Sequence, residues 1–208
     1  MTSTQFRALW LEFHERVRVE RDQLNRLDAA IGDADHGTNL DRGLQKVAAC
    51  AADTTDHLAA TCRQVGTVLL STVGGASGAL WGSALLRAAG ALPDSDTCDT
   101  AAALAALGQG VSAIQARGHA ELGDKTMLDV WLPSLEDLDR RLSAGAACGE
   151  AVAATAGRAA VLAQDTAPLQ ARRGRAAYLG PRSVGHVDPG SVSTALFWQA
   201  LATVLARS

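Results

Sequence analysis

Aromatic residues make up only 4% of this 208-residue chain, with a single Tyr, and β-branched residues are sparse. Sheets are built mainly from those two classes, so their scarcity argues against a β-rich fold. Four cysteines are present, Cys50, Cys62, Cys98 and Cys148, but no two stand in a C-x-x-C pair. That excludes a zinc ribbon and a disulfide framework, and reads as small core thiols in a reducing compartment. Every apolar stretch is broken by Gly, Ser, Arg or Asp well before the ~18 residues a membrane span needs. Residues 1–18 are amphipathic and charged and lack the apolar block of a signal peptide, so a cytoplasmic protein without a membrane partner is expected. Nor is there a basic excess: the net charge is −3, and nucleic acid is not expected as a direct partner.

What the chain does have is alanine, 42 residues of it, within a composition that is 48% hydrophobic and 20% charged. The best helix former at that density, with few strand formers, predicts an all-α fold of closely packed helices. The length suits a single domain over residues 1–208. Helical spacing recurs eight times, in sets led by Phe6, Leu40, Leu58, Trp81, Leu104, Leu128, Val152 and Phe197. The second set runs Leu40, Leu44, Val47, Ala51, and the sixth carries Pro133 near its first turns. Residues 94–97 and Ser191 offer caps for the fifth and last helices.

Three connections, 27–39, 74–82 and 118–126, are rich in Gly and polar residues. A fourth, 166–190, holds three of the five prolines and four arginines, Arg172, Arg173, Arg175 and Arg182. A long loop in a compact domain is usually functional. In an up-and-down array alternate connections lie at the same end, so these four should converge there.

Their residues point to phosphate chemistry. The first contains Asp28, Asp33 and Asp35 followed by His36, Gly37, Thr38 and Asn39. Three carboxylates so close repel one another unless a cation holds them, and hard oxygen ligands suit Mg²⁺. An EF-hand fails because Thr38 and Leu44 stand where it needs Gly and Glu; a solvated turn with Asp as helix cap is the plain alternative. The second, Gly74-Gly75-Ala76-Ser77-Gly78, runs into a helix start and could cradle an anion on free N–H groups, although glycine for close helix packing explains it as well. It is neither a Walker A loop nor a nucleophile elbow. In the third, Gly123-Asp124-Lys125-Thr126 reads as a helix start capped by Asp, with Lys125 on the surface. In the fourth, mobile arginines can clamp phosphates or dock a partner. No Ser-His-Asp or Cys-His nucleophile is legible, and phosphoryl transfer by positioning and electrostatics needs none.

Taken together, Leu27-Asp28-x-x-Ile31-Gly32-Asp33-Ala34-Asp35-His36-Gly37-Thr38-Asn39, Gly74-Gly75-Ala76-Ser77-Gly78, Gly123-Asp124-Lys125-Thr126-Met127-Leu128-Asp129 and Arg182-Ser183-x-Gly185-His186-x-Asp188-Pro189-Gly190 resemble the L-subunit family of dihydroxyacetone kinases, in the same order and over about residues 5–207. Departures are small: Leu40 where Met is common, and Ala79-Leu80-Trp81 where Pro-Leu-Tyr is common. The resemblance implies an eight-helix antiparallel barrel with a nucleotide at one rim. It implies Asp28, Asp33 and Asp35 holding two Mg²⁺ ions on the phosphates of ADP or ATP, with catalysis through the metal. It places His36, Gly37, Thr38, Asn39, Ala76 and Ser77 on the nucleotide, Gly118 and Met127 on the adenine side, and Arg175 with Asp188-Pro189-Gly190 closing over it. The implied partner is a K subunit carrying dihydroxyacetone on a histidine, since this chain is read as lacking a K domain. A phosphotransferase-system donor subunit (M) would recharge the nucleotide from phosphoenolpyruvate. A second branch would use free ATP, with dihydroxyacetone or a tetrose such as erythrulose as substrate. A third reading is a regulatory module acting on a transcription regulator.

Overall fold

In the computed structural model, residues 1–50 and 57–207 are described; Ala51, assigned above to a helix face, lies outside them. They form α1 (Ser3–Ile31), α2 (His36–Cys50), α3 (Leu58–Thr72), α4 (Gly75–Ala89), α5 (Thr100–Gly118), α6 (Leu128–Ser143), α7 (Cys148–Gln164) and α8 (Pro189–Ala206), with a 3-10 segment, Arg175–Ser183, before the last helix. Among the described residues there is no strand, and no helix is long and apolar enough to cross a membrane. Each helix packs on the next in chain order, and α8 packs on α1, so the packing order closes on itself.

The scarce aromatics are concentrated where the helices meet. Phe6, Trp10, Phe13, Trp81, Trp131, Phe197 and Trp198 form one connected set, with ring centroids 5.3–6.5 Å apart. Edge-to-face and tilted pairs of this kind add about 1 kcal/mol each beyond the area they bury. Elsewhere small residues let backbones approach. A Cβ on Gly82 would lie 2.7 Å from the Leu70 Cβ and 2.9 Å from the Gly66 carbonyl, so α3 and α4 sit closer than any larger residue permits. The alternative reading of glycine as a packing device therefore holds at this position of the Gly-rich segment.

The boundaries differ from the sequence expectation in ways that matter for the site. α1 continues through Ile31 because Val17, Leu24 and Ile31 are buried at two-turn spacing. A thinner stripe suffices there, and Asp28 sits on a helix rather than in a loop. α4 begins at Gly75, so most of 74–82 is helix. The cap of α5 is Asp99, whose carboxylate accepts from the Ala102 amide at 2.7 Å, and that of α8 is Asp188, with Pro189 in the first turn. Of the cysteines, Cys62 and Cys98 are core thiols, but Cys50 is half-buried and Cys148, at the start of α7, is exposed. Burial pushes the Cys62 thiol up to about 12, which keeps it an inert thiol.

Candidate functional site

The four Gly- and Arg-rich connections do converge. They line one cleft of about 470 Å³, walled by Asp28, Asp33 and Asp35, by Gly74–Ser77, by residues 125–128, by residues 173–176 and by residues 188–190. That volume suits a small-molecule ligand or cofactor.

The acidic side is built by a tight reversal between α1 and α2. Ala34 adopts φ 65°, a conformation rare for a residue with a β-carbon. The turn draws Asp33 and Asp35 beside Asp28 on the last turn of α1. One carboxylate oxygen from each lies within 4.8 Å of the others. Asp28 also accepts the Asp35 and His36 amides, at 2.8 and 3.2 Å, and so caps the start of α2. The only cation on this trio among the described ion pairs is Arg175, whose guanidinium meets Asp33 at 3.0 Å from the opposite wall. Three like charges sharing one exposed arginine form a site with room for a hard cation.

Next to the carboxylates in sequence, His36 is half-buried in the cleft wall. Its Nε2 lies 3.0 Å from Ser193 Oγ on α8 and its Nδ1 3.2 Å from Ser77 Oγ on α4. Burial pushes its imidazole below the usual range, with Asp28 and Asp35 opposing. The ring thereby ties three helices together. Ser77 lies in the first turn of α4, whose cap residue, Gly74, has no side chain to bond the free amides. Those amides and the positive end of the helix dipole are what an anion seeks. Further along the wall Ile31, Leu80, Ile114, Ala120 and Leu128 make an apolar slot beside Gly118 and Met127, suited to a flat ring.

The opposite wall is the 166–190 segment, which is not structureless. Its root is a dense network around the α5–α6 loop. Asp124 accepts the Glu121 amide and the Arg173 guanidinium, both at 3.0 Å. Burial raises its carboxyl, but those bonds and the neighbouring arginines outweigh burial and hold it below the usual range. Asp129 accepts the Gly123 amide at 2.5 Å and the Thr126 amide at 2.6 Å. Asp188 caps α8 through the Ser191 amide and hydroxyl, at 2.6 and 2.9 Å. Burial pushes its carboxyl up to about 6; the Ser191 bonds and Lys125 work against that rise, and Asp129 adds to it.

Of the residues expected on the site, Asp28, Asp33, Asp35, His36, Asn39, Ala76, Ser77, Gly118, Met127, Arg175, Asp188, Pro189 and Gly190 line the cleft. Gly37 and Thr38 do not. Gly37 is pressed under α1, where a Cβ would lie 2.2 Å from the Arg21 carbonyl. Thr38 is exposed, its hydroxyl accepting from Asn25 Nδ2 at 2.8 Å. Lys125, expected on the surface, is 2% exposed. Sequence reading missed it, along with Ser193 and Arg117, which also lines the cleft. For Lys125 a signal existed: it is one of two lysines in a chain that otherwise uses seventeen arginines.

Comparison with known proteins places this geometry in a family. The model of the DAK2 domain matches residues 30–203. The ADP-binding subunit DhaL of the PEP-dependent dihydroxyacetone kinase of Escherichia coli is 41% identical over 185 residues, 88% of each chain. A Listeria innocua counterpart is 39% identical over 198 residues, 92% of each. The L-erythrulose 1-kinase of Mycolicibacterium smegmatis is 39% identical over 95% of this chain, which spans 35% of that longer protein. The dihydroxyacetone kinase from C. freundii, solved in complex with AMP-PNP and Mg²⁺, has the same fold at TM-score 0.72 and 24% identity; the match covers 95% of this chain and 33% of that one. The chain belongs to the DAK2-domain family.

Proposed function

We propose that this protein is the nucleotide-binding subunit of a dihydroxyacetone kinase. It would hold ADP or ATP with Mg²⁺ in the cleft and pass the γ-phosphoryl group to dihydroxyacetone carried by a separate K subunit. One observation supports this above the others. The three carboxylates, the uncapped first turn of α4 and Arg175 face one another across a single cleft. These are the parts that phosphoryl transfer by positioning and charge stabilisation requires.

Asp28, Asp33 and Asp35 are the candidate metal ligands, and their hard oxygen donors fit Mg²⁺. Two ions are proposed, as the resemblance to the L-subunit family implies. Bound there, Mg²⁺ would supply Lewis-acid neutralisation of phosphate charge. This chain's own groups do the rest. The α4 amides and Ser77 bind phosphate oxygens, the Ile114–Met127 slot takes the base, and His36 and Asn39 shape the floor. Arg175 shifts from Asp33 towards phosphate, and Asp188-Pro189-Gly190 bounds the opening. Gly37 and Thr38 complete the proposed nucleotide contacts at the start of α2, Gly37 packed under α1 and Thr38 bonded to Asn25. No residue of the cleft is needed as a covalent nucleophile.

The relatives named as PEP-dependent subunits support recharging of bound ADP by a phosphotransferase-system donor. A cytoplasmic location follows from that proposal. The similarity to an erythrulose kinase, at 39% identity, favours a second reading, direct use of free ATP on a four-carbon ketose. The deciding experiment is to purify the protein, identify any retained nucleotide, and assay it with a K subunit, offering ATP or the phosphoenolpyruvate system. Retained ADP and activity with the relay support the first reading. Rapid exchange with free ATP supports the second, and no nucleotide binding with either defeats both.

A further inference from the structure

Lys125 has an environment that a surface lysine or a phosphate-binding lysine would not have. Its ammonium donates to three backbone carbonyls, those of Thr166 at 2.9 Å, Ala167 at 3.1 Å and Leu169 at 3.0 Å. Three N–H donors meet three acceptors, so every hydrogen of the buried cation is used. The backbone at Lys125 is held at φ 62°, a conformation that costs free energy unless the surroundings enforce it. The carbonyls belong to the turn where the chain leaves α7 for the Arg-rich segment.

That turn also receives the returning chain. The Ala167 carbonyl accepts from the Gly185 amide at 2.8 Å, and the Thr166 hydroxyl accepts from the Asp188 amide at 3.0 Å. The residues on either side of Lys125 hold the segment as well. The Asp124 carbonyl accepts from the Arg172 amide at 3.1 Å, and the Thr126 carbonyl accepts from the Ser191 hydroxyl at 2.9 Å. One ammonium therefore gathers three carbonyls of the turn on which the returning chain, at Gly185 and Asp188, is also fastened.

We infer that Lys125 is a positioning residue whose ammonium acts as a tethered monovalent cation, organising the root of the 166–190 segment and so presenting Arg175 and the α8 start to the cleft. A cluster of carbonyls around a buried cation is charge-assisted hydrogen bonding, strong when complete and disruptive when the cation is lost. Because Lys125 also borders the cleft, a small free amine can reach the space its side chain vacates.

The inference about the segment root stands apart from the proposed function, and its first readout is independent of it. In Lys125→Ala the Gly185 and Asp188 amides should exchange with solvent at least about tenfold faster, while the α1 to α4 core is unchanged. Propylammonium chloride, which replaces the three methylenes and ammonium removed, should restore slow exchange. Tetramethylammonium chloride, which has no N–H donor, should not. The second readout rests on the functional reading: affinity for ADP with Mg²⁺ should fall about tenfold and recover with propylammonium. Wild-type exchange in Lys125→Ala overturns the inference, as does equal restoration by both salts. If Lys125→Ala does not fold, Lys125→Met is measured the same way. Wild-type exchange there overturns the inference, and so does unfolding of both variants regardless of added amine. Wild-type protein that binds no ADP would defeat the functional reading and leave the exchange result to judge this one.

Discussion

At the α1–α2 turn, three carboxylates crowd within 4.8 Å around a single arginine that is 70% exposed. At the root of the 166–190 segment, one buried ammonium meets three carbonyls, and the carboxylates Asp124, Asp129 and Asp188 are each met by donors. Both regions gather charge at the same end of the molecule, yet one is left short of partners and the other is satisfied. Under-neutralised charge near solvent is open to a ligand. Satisfied charge in the interior fixes geometry. The contrast separates groups that contact a ligand from groups that hold those groups in place.

The contrast can be broken most forcefully at the acidic turn. Asp33→Ala should reduce phosphoryl transfer with a K subunit by at least about a thousandfold. Helical content by circular dichroism should be unchanged, and the metal-free protein should melt no lower, because a like charge has gone from a crowded turn. At the satisfied side the expected balance is the reverse. Asp129→Ala leaves the Gly123 and Thr126 amides without their acceptor and should destabilise the fold by about 2 kcal/mol in urea titration.

Asp188 sharpens the comparison through pH. Its carboxyl stands at about 6 in the folded protein against 3.8 ordinarily, so the folded state holds this proton more tightly than the unfolded chain. Its contribution to stability is full below pH ~4 and is lost as pH rises through about 6. Relative to Asp188→Asn, the wild type should lose about 2–3 kcal/mol between pH 4 and 7.5, read from urea titrations at each pH. The smallest effect on the fold is expected at Arg175. Its bridge to Asp33 is exposed, so Arg175→Ala should change stability by less than about 0.5 kcal/mol while weakening ADP binding measurably.

Much of this arrangement was legible in the sequence, and the exceptions share a cause. Spacings of three and four marked each α-helix among the described residues, and the alternation of connections placed four segments at one end. Asp28, Asp33 and Asp35 stood out because adjacent carboxylates need no distant partner to be suspicious. The second half of α1 was not seen because its stripe is Val17, Leu24 and Ile31 alone, one buried residue every two turns amid charged ones. The bond of Thr38 to Asn25 was not foreseen because the two lie on different helices. Lys125 was taken for a surface residue because nothing local announces its burial. Its three acceptors lie more than forty residues away. Local pattern thus found the residues that present unsatisfied chemistry. It could not find those whose chemistry is satisfied at long range.

The central claim is that the acidic turn holds Mg²⁺ for a nucleotide in the cleft. Isothermal titration of ADP into nucleotide-free protein, with and without Mg²⁺, tests it directly, with Asp33→Ala alongside. Tight binding that requires Mg²⁺ and is lost in Asp33→Ala is the predicted result. Binding that is indifferent to Mg²⁺, or equal in the variant, would contradict it.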